Sequence, residues 1–161
     1  HILFVCTANI CRSPVAEGIL RQRLKDAFMD GWTVSSAGTW AMQERGASRN
    51  SIVVMNERGI DISDHVARGV DEEMLGEADL ILCMEAGHAE ALAAEFPEET
   101  AGKLYMLTQM VGRRNDVADP YGAELPEYQQ MADEVEELID KALPRIKQLA
   151  SDNAQSRWGV K

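Results

Sequence analysis

Nine consecutive residues, Cys6-Thr7-Ala8-Asn9-Ile10-Cys11-Arg12-Ser13-Pro14, set a thiol and a guanidinium six positions apart. The apolar run Ile2 to Val5 ahead of them reads as a short buried strand. Ser13-Pro14 reads as a helix start, because serine caps helix N-termini and proline is tolerated in the first turn. A loop between a strand end and a helix start presents unpaired backbone N–H groups at the positive end of the helix dipole, which suits an anion. Arg12 adds a planar fork matched to two phosphate oxygens. The same field favours a thiolate at Cys6, the nucleophilic form of cysteine. A lone cysteine at a strand end is ordinarily inert core. The Cys-x5-Arg-Ser spacing between strand and helix argues instead for a nucleophile set in an oxyanion cradle.

Chemistry on a phosphomonoester needs one more group, a donor to protonate the leaving oxygen, and a carboxylic acid serves. Asp119 is the best candidate, since Pro120 biases it toward an extended conformation and stiffens its loop. Asp116 is its nearest rival. An isolated Asp-Pro is also an ordinary turn signal. His65 reads as a hydrogen-bonded structural residue, and Cys83, inside the apolar run Leu80 to Met84, as inert core. Trp40 and Met42 are apolar residues in a polar stretch over 39–47, either partly buried under that loop or forming an aromatic wall beside the anion site.

The elements that must position these groups follow from periodicity. Val15, Ala16, Ile19, Leu20, Leu24, Ala27 and Phe28 make a helical stripe that Gly31 ends. Trp32 to Ser36 alternates like a strand, and Ala47 to Arg58 reads as a second helix. Asp71 caps a short helix to Glu77. Leu80 to Met84 has the continuous apolar character of a central parallel strand. Gly87 to Phe96 is a helix stopped by Pro97, and Lys103 to Leu107 is a fourth strand. A polar loop over 112–124 carries Asp116 and Asp119. An acidic amphipathic helix follows from Leu125 to Leu143, and Pro144 should kink or restart it. This alternation predicts an α/β fold: one domain over 1–150, a four-stranded parallel sheet sandwiched between helices, and a phosphate-binding loop between strand 1 and helix 1. A flexible tail is expected over 151–161. Ligands of such sheets sit at the carboxyl ends of strands, so Cys6 and the loop holding Asp119 can reach one edge.

Composition narrows the class. The length of 161 residues suits one domain, and the net charge of −11 argues against nucleic-acid binding. No apolar run approaches the ~20 residues that span a bilayer. No signal segment opens the chain, which begins at His1 rather than Met. Three cysteines, Cys6, Cys11 and Cys83, form no disulfide framework, so a reducing cytoplasm is the expected setting. A reversible Cys6–Cys11 disulfide is expected to make the loop redox-sensitive.

The loop from Cys6 to Pro14, paired with Asp119-Pro120-Tyr121-Gly122, resembles the low-molecular-weight protein tyrosine phosphatase family. The likeness extends to Ser35-Ser36-Ala37-Gly38-Thr39, Gly59-Ile60-Asp61-Ile62-Ser63, His65-Val66-Ala67-Arg68 and Asp79 to Met84, and covers roughly residues 2–148. It implies that Cys6 attacks phosphorus and forms a phosphocysteine, that Arg12 and the N–H groups of 7–13 bind the phosphoryl oxygens, and that Asp119 acts as general acid and then base. It also implies that Ser13 assists the Cys6 sulfur, that Asn9 shapes the loop, and that Ser36 and His65 support it. No metal or cofactor is implied. The expected partner is a phosphotyrosine-bearing protein, met by a monomer.

The resemblance leaves substrate choice open between two branches. Protein arginine phosphatases of the same family look much alike, and the segment Asp116 to Pro120 resembles theirs. They carry Thr where this chain has Ile10. Ile10, with Tyr121 and Trp40 as candidate pocket walls, favours phosphotyrosine. Thioredoxin-linked arsenate reductases share the Cys-x5-Arg loop but use two further downstream cysteines, where this chain has only Cys83. A phosphate-binding module without turnover would need neither Cys6 nor Asp119.

Overall fold

The structure is a computed structural model and describes residues 1–157. Four strands, β1 (Ile2–Cys6), β2 (Val34–Gly38), β3 (Leu80–Cys83) and β4 (Leu104–Met106), form one parallel sheet in the order β2-β1-β3-β4. Around it run α1 (Arg12–Asp26), α2 (Arg49–Asn56), α3 (Glu72–Glu77), α4 (Ala86–Glu95), α5 (Pro97–Thr100) and α6 (Leu125–Arg157).

The two-residue period of the strands decides the layers. Ile2, Phe4 and Cys6 of β1, with Leu80 and Leu82 of β3, face a core built with Val15, Ile19 and Leu20 of α1 and Val135, Leu138 and Ile139 of α6. Leu3, Val5, Ile81 and Cys83 point the other way, against Met74 and Leu75 of α3 and Leu92 of α4. Because both faces are covered, β1 and β3 are apolar at every position, as a buried parallel strand must be. The result is the single-domain, three-layer α/β sandwich expected from the alternation.

Local readings differ in several places. First, α1 starts at Arg12 with Cys11 before it, so Ser13 is no cap. Its hydroxyl is taken by Cys6 and Asn9 instead. Second, α1 ends at Asp26 rather than near Gly31, and Phe28, at φ 56°, swings out to 88% exposure. Third, β2 begins at Val34, not Trp32, because its register starts where Ile2 pairs with Val34. Fourth, Pro97 does end α4, but it also opens α5 at the position where its missing N–H costs nothing. Fifth, α6 runs through the exposed Pro144 without restarting, because Ile146 and Ala150 beyond it are buried in the same core. Residues 151–157, expected to begin a tail, continue that helix, and Asn153 Nδ2 donates to Asp79 O at 2.8 Å. The rest of that segment, 158–161, lies outside the described residues.

Candidate active site

In the sheet order, β1 has β2 on one side and β3 on the other, so the chain leaves β1 where the winding reverses direction. A crevice opens there by topology, and the loop after β1 lies in it. Residues 7–11 carry that loop from the end of β1 to the start of α1.

Asn9 holds the loop's shape. It adopts φ 60°, a left-handed conformation that asparagine tolerates better than most residues. Its side chain is fully satisfied: Nδ2 donates to Ser13 Oγ (2.8 Å) and Ser36 Oγ (2.9 Å), and Oδ1 accepts from the Arg68 N–H at 2.9 Å. His65 Nε2 lies 2.7 Å from the Asn9 carbonyl oxygen and so donates to it. Ser36 and His65 are thus joined to the loop, and Arg68 adds a third tie.

Cys6 Sγ lies 2.9 Å from Ser13 Oγ. Arg12 is only 1% exposed, which is rare for a guanidinium unless it is paired. Nη1 donates to the Val117 carbonyl at 2.8 Å, and Nη2 lies 2.8 Å from Glu85 Oε2 and 3.5 Å from Asp119 Oδ2. Arg12 Nε is buried and has no hydrogen-bond partner among the described residues. A buried donor left unmade costs about 1–3 kcal/mol, so this nitrogen favours an arriving acceptor.

Cys6, Thr7, Ala8, Ile10, Cys11, Arg12, Trp40, Met42, Asp119 and Tyr121 line one cleft of about 330 Å³. The fold therefore gathers the nucleophile candidate, the clamp, the acid candidate and all three proposed pocket residues. Its mouth is aromatic, with Trp40 84% and Tyr121 58% exposed, while Ile10, at 4%, forms part of the floor. Asp116 and Asp119 make different contacts. Asp116 Oδ1 accepts the Ala86 N–H at 2.8 Å, fixing the polar loop to the start of α4 and leaving Asp119 beside Arg12.

Cys11 also lines this cleft, but its thiol is tied to Ser48 and Tyr128, which do not. Its Sγ donates to Ser48 Oγ at 3.4 Å and lies 3.5 Å from the Tyr128 hydroxyl. Burial pushes the Cys11 thiol up, against the lowering effect of these two hydrogen bonds, so it rests as a thiol. Burial also raises Tyr128 to about 12. Cys83, wholly buried in β3, is pushed up further by desolvation and is inert core.

A sequence profile of the low molecular weight phosphotyrosine protein phosphatases matches residues 1–155. The chain belongs to that family. A probable low molecular weight protein-tyrosine-phosphatase, EpsP, of Ralstonia nicotianae is 36% identical over 92% of this chain and 97% of its own length. The crystal structure of a low molecular weight protein tyrosine phosphatase from T. tengcongensis superposes with a TM-score of 0.84 at 43% identity, covering 89% of this chain and 97% of that one. A YwlE arginine phosphatase, solved as a cysteine-to-serine variant with a phosphorylated active site serine, superposes with a TM-score of 0.83 at 32% identity over 91% and 95%. Both substrate branches of the phosphatase family thus lie close to this chain.

Three participants escaped sequence reasoning. Glu85 and His88 follow β3, far along the chain from the loop they touch, and the Val117 carbonyl belongs to an unremarkable residue. The only local trace was the Glu85-x-x-His88 spacing at the start of α4, which by itself reads as ordinary helix capping.

Proposed function

We propose that this phosphatase hydrolyses phosphotyrosine monoesters on proteins through a phosphocysteine. The observation that carries the reading is the shared cleft, in which Cys6, Arg12 and Asp119 meet beneath the aromatic mouth of Trp40 and Tyr121. The phosphorylated active site serine of the YwlE variant supports a covalent route in this family.

The step runs as follows. The Cys6 thiolate attacks phosphorus and forms an S–P bond while the P–O bond to the leaving group breaks. Asp119, protonated, gives its proton to the departing oxygen. Arg12 and the N–H groups of residues 7–13 take the equatorial oxygens, where charge gathers. Arriving phosphate competes for Arg12 Nη2, the group now 3.5 Å from Asp119, and so frees that carboxyl for the leaving oxygen. Asp119, now a carboxylate, takes a proton from water as the water attacks phosphorus. The S–P bond breaks, and the Ser13 hydroxyl, 2.9 Å from Cys6 Sγ, stabilises the returning thiolate. Splitting one displacement into two easier ones is the gain of covalent catalysis.

The arginine branch is kept as the second reading because the YwlE likeness is close. Ile10 is the observation against it, since an apolar floor offers no hydroxyl to orient a phosphoramidate. Turnover of phosphotyrosine and phosphoarginine peptides decides between them. The parent should prefer phosphotyrosine, and Ile10→Thr should shift the ratio toward phosphoarginine. A parent that prefers phosphoarginine overturns the first reading. Aryl phosphate hydrolysis should vanish in Cys6→Ser, and Asp119→Ala should hurt poor leaving groups by ~10²–10⁴ and good ones much less. Equal loss for every leaving group would remove Asp119 from the acid role.

A further inference from the structure

The entry to α4 touches the polar loop at one point and two residues of the cleft, Arg12 and Thr7. The Ala86 N–H donates to Asp116 Oδ1, three residues before Asp119. Glu85 Oε2 lies 2.8 Å from Arg12 Nη2. His88, buried, lies behind the loop with Nε2 2.9 Å from Thr7 Oγ1 and 3.3 Å from the same Glu85 Oε2.

The tautomer of His88 follows from its other nitrogen. The Glu85 N–H donates to His88 Nδ1 at 3.2 Å, so Nδ1 is an acceptor and carries no proton. In the neutral ring the proton is therefore on Nε2, which donates to Thr7 Oγ1. Arg12 Nη2 donates to the same hydroxyl at 3.5 Å. The Thr7 oxygen thus accepts from both the imidazole and the guanidinium, and one oxygen of Glu85 lies within reach of both Arg12 Nη2 and His88 Nε2.

We propose that His88 is a positioning residue of the phosphate site: its Nε2–H form pins Thr7 beside Cys6 and, with Glu85, sets the Arg12 fork. The inference rests on the phosphate-binding reading of the loop but goes beyond it. His88 touches neither substrate nor reacting atoms and acts through Thr7 and Arg12.

The arrangement works in one protonation state. An imidazolium would place an Nδ1–H against the Glu85 N–H, donor against donor, and would draw the Glu85 carboxylate from Arg12 toward itself. The groups facing His88 are Thr7 on the loop, Arg12 on α1, Glu85 at its own helix start, and Asp116 and Asp119 on the polar loop. Burial first, then the Arg12 charge, lower its pKa, against the raising effect of the three carboxylates. The neutral, holding form therefore persists to below the ordinary imidazole range.

The test uses the full chain with His88→Phe, His88→Gln, Thr7→Val and the Phe/Val pair. Inorganic phosphate is the probe by calorimetry, and p-nitrophenyl phosphate the probe by kinetics. His88→Phe should weaken phosphate binding and lower kcat, each by roughly tenfold, because a small misplacement of a clamp is costly. His88→Gln, whose amide N–H reaches the Nε2 position, should recover most of both. It should also lack the parent's additional loss at acid pH, taken as a ratio so that the titration of phosphate itself cancels. The Phe/Val pair should lose no more than either single variant. In the parent, imidazole ¹⁵N shifts at neutral pH should report the Nε2–H tautomer of His88, which needs no variant to fold. An Nδ1–H tautomer, full phosphate affinity in His88→Phe, additive losses in the pair, or an unaltered acid limb in His88→Gln would each overturn the proposal. Phosphate binding that depends on His88 in a protein without turnover would sink the hydrolase reading and leave this one standing.

Discussion

Cys6 and Cys11 share a loop and a cleft, yet their surroundings give them opposite temperaments. Cys6 meets the Ser13 hydroxyl and the positive site around Arg12, while Cys11 is held as a thiol by burial, with Ser48 and Tyr128 as hydrogen-bond partners. Peroxide should therefore oxidise Cys6 to the sulfenic acid. Attack by the Cys11 sulfur then expels water and closes a disulfide. Parent protein treated with peroxide and then dithiothreitol should regain activity, whereas Cys11→Ser should lose it permanently by further oxidation of Cys6. Equal recovery in both would deny Cys11 any protective part. Ile10 makes the same point about surroundings: nothing in its side chain is chemical, and only its place in the cleft carries the proposed preference for phosphotyrosine.

At the level of elements, the loop is shaped as much by β2 as by its own residues. The Thr39 N–H donates to Cys6 O (3.0 Å) and the Trp40 N–H to Thr7 O (2.9 Å), so the chain leaving β2 is laced to the phosphate loop. Gly38 sits at that seam. A Cβ there would fall 2.4 Å from the Thr7 carbonyl oxygen, a backbone atom with little freedom to move. Gly38→Ala should cost about 1–3 kcal/mol of stability, as overpacking does, and lower kcat because the strain is relieved through Thr7. Thermal melting and aryl phosphate kinetics check both; an unchanged kcat in a destabilised protein would show the loop to be independent of β2. The Ser35-Ser36-Ala37-Gly38-Thr39 segment is legible in the sequence through its family likeness, but the close approach requires a neighbour 31 positions away, and no local pattern carries it.

The whole molecule places its titrating groups so that stability has limits on both sides. His88 has a folded pKa below its ordinary 6.5, so its contribution is complete above 6.5 and is lost as pH falls from there through the folded value. Tyr128 is raised from 10.0 to about 12, so its contribution is complete below 10.0 and is lost as pH rises through about 12. Melting temperature against pH should fall at both ends. His88→Gln should flatten the acid side and Tyr128→Phe the alkaline side; parallel curves for parent and variants would remove these two groups as the cause. The net charge of −11 repels anionic substrates at long range, so binding depends on the local concentration of donors around Arg12.

By itself the sequence determined what is local. A buried strand, a nine-residue segment from Cys6 to Pro14 and a helix start are contiguous, so their spacing already argues for an anion cradle with a thiol in it. The strand–helix alternation determined the layered fold, because parallel strands need crossovers and buried strands need apolar faces. The tertiary structure decided which distant side chains close on that loop. The order β2-β1-β3-β4 sets β3 beside β1, and that adjacency brings Glu85 and His88 to Arg12 and Thr7. It set Asp116 as a tether and left Asp119 beside the clamp, although both are exposed acids of one polar loop. It turned Phe28 outward and kept α6 helical past Pro144, since packing outweighs local preference at helix ends. Spacing along a chain constrains near neighbours; which far neighbours meet is settled only when the sheet chooses its order.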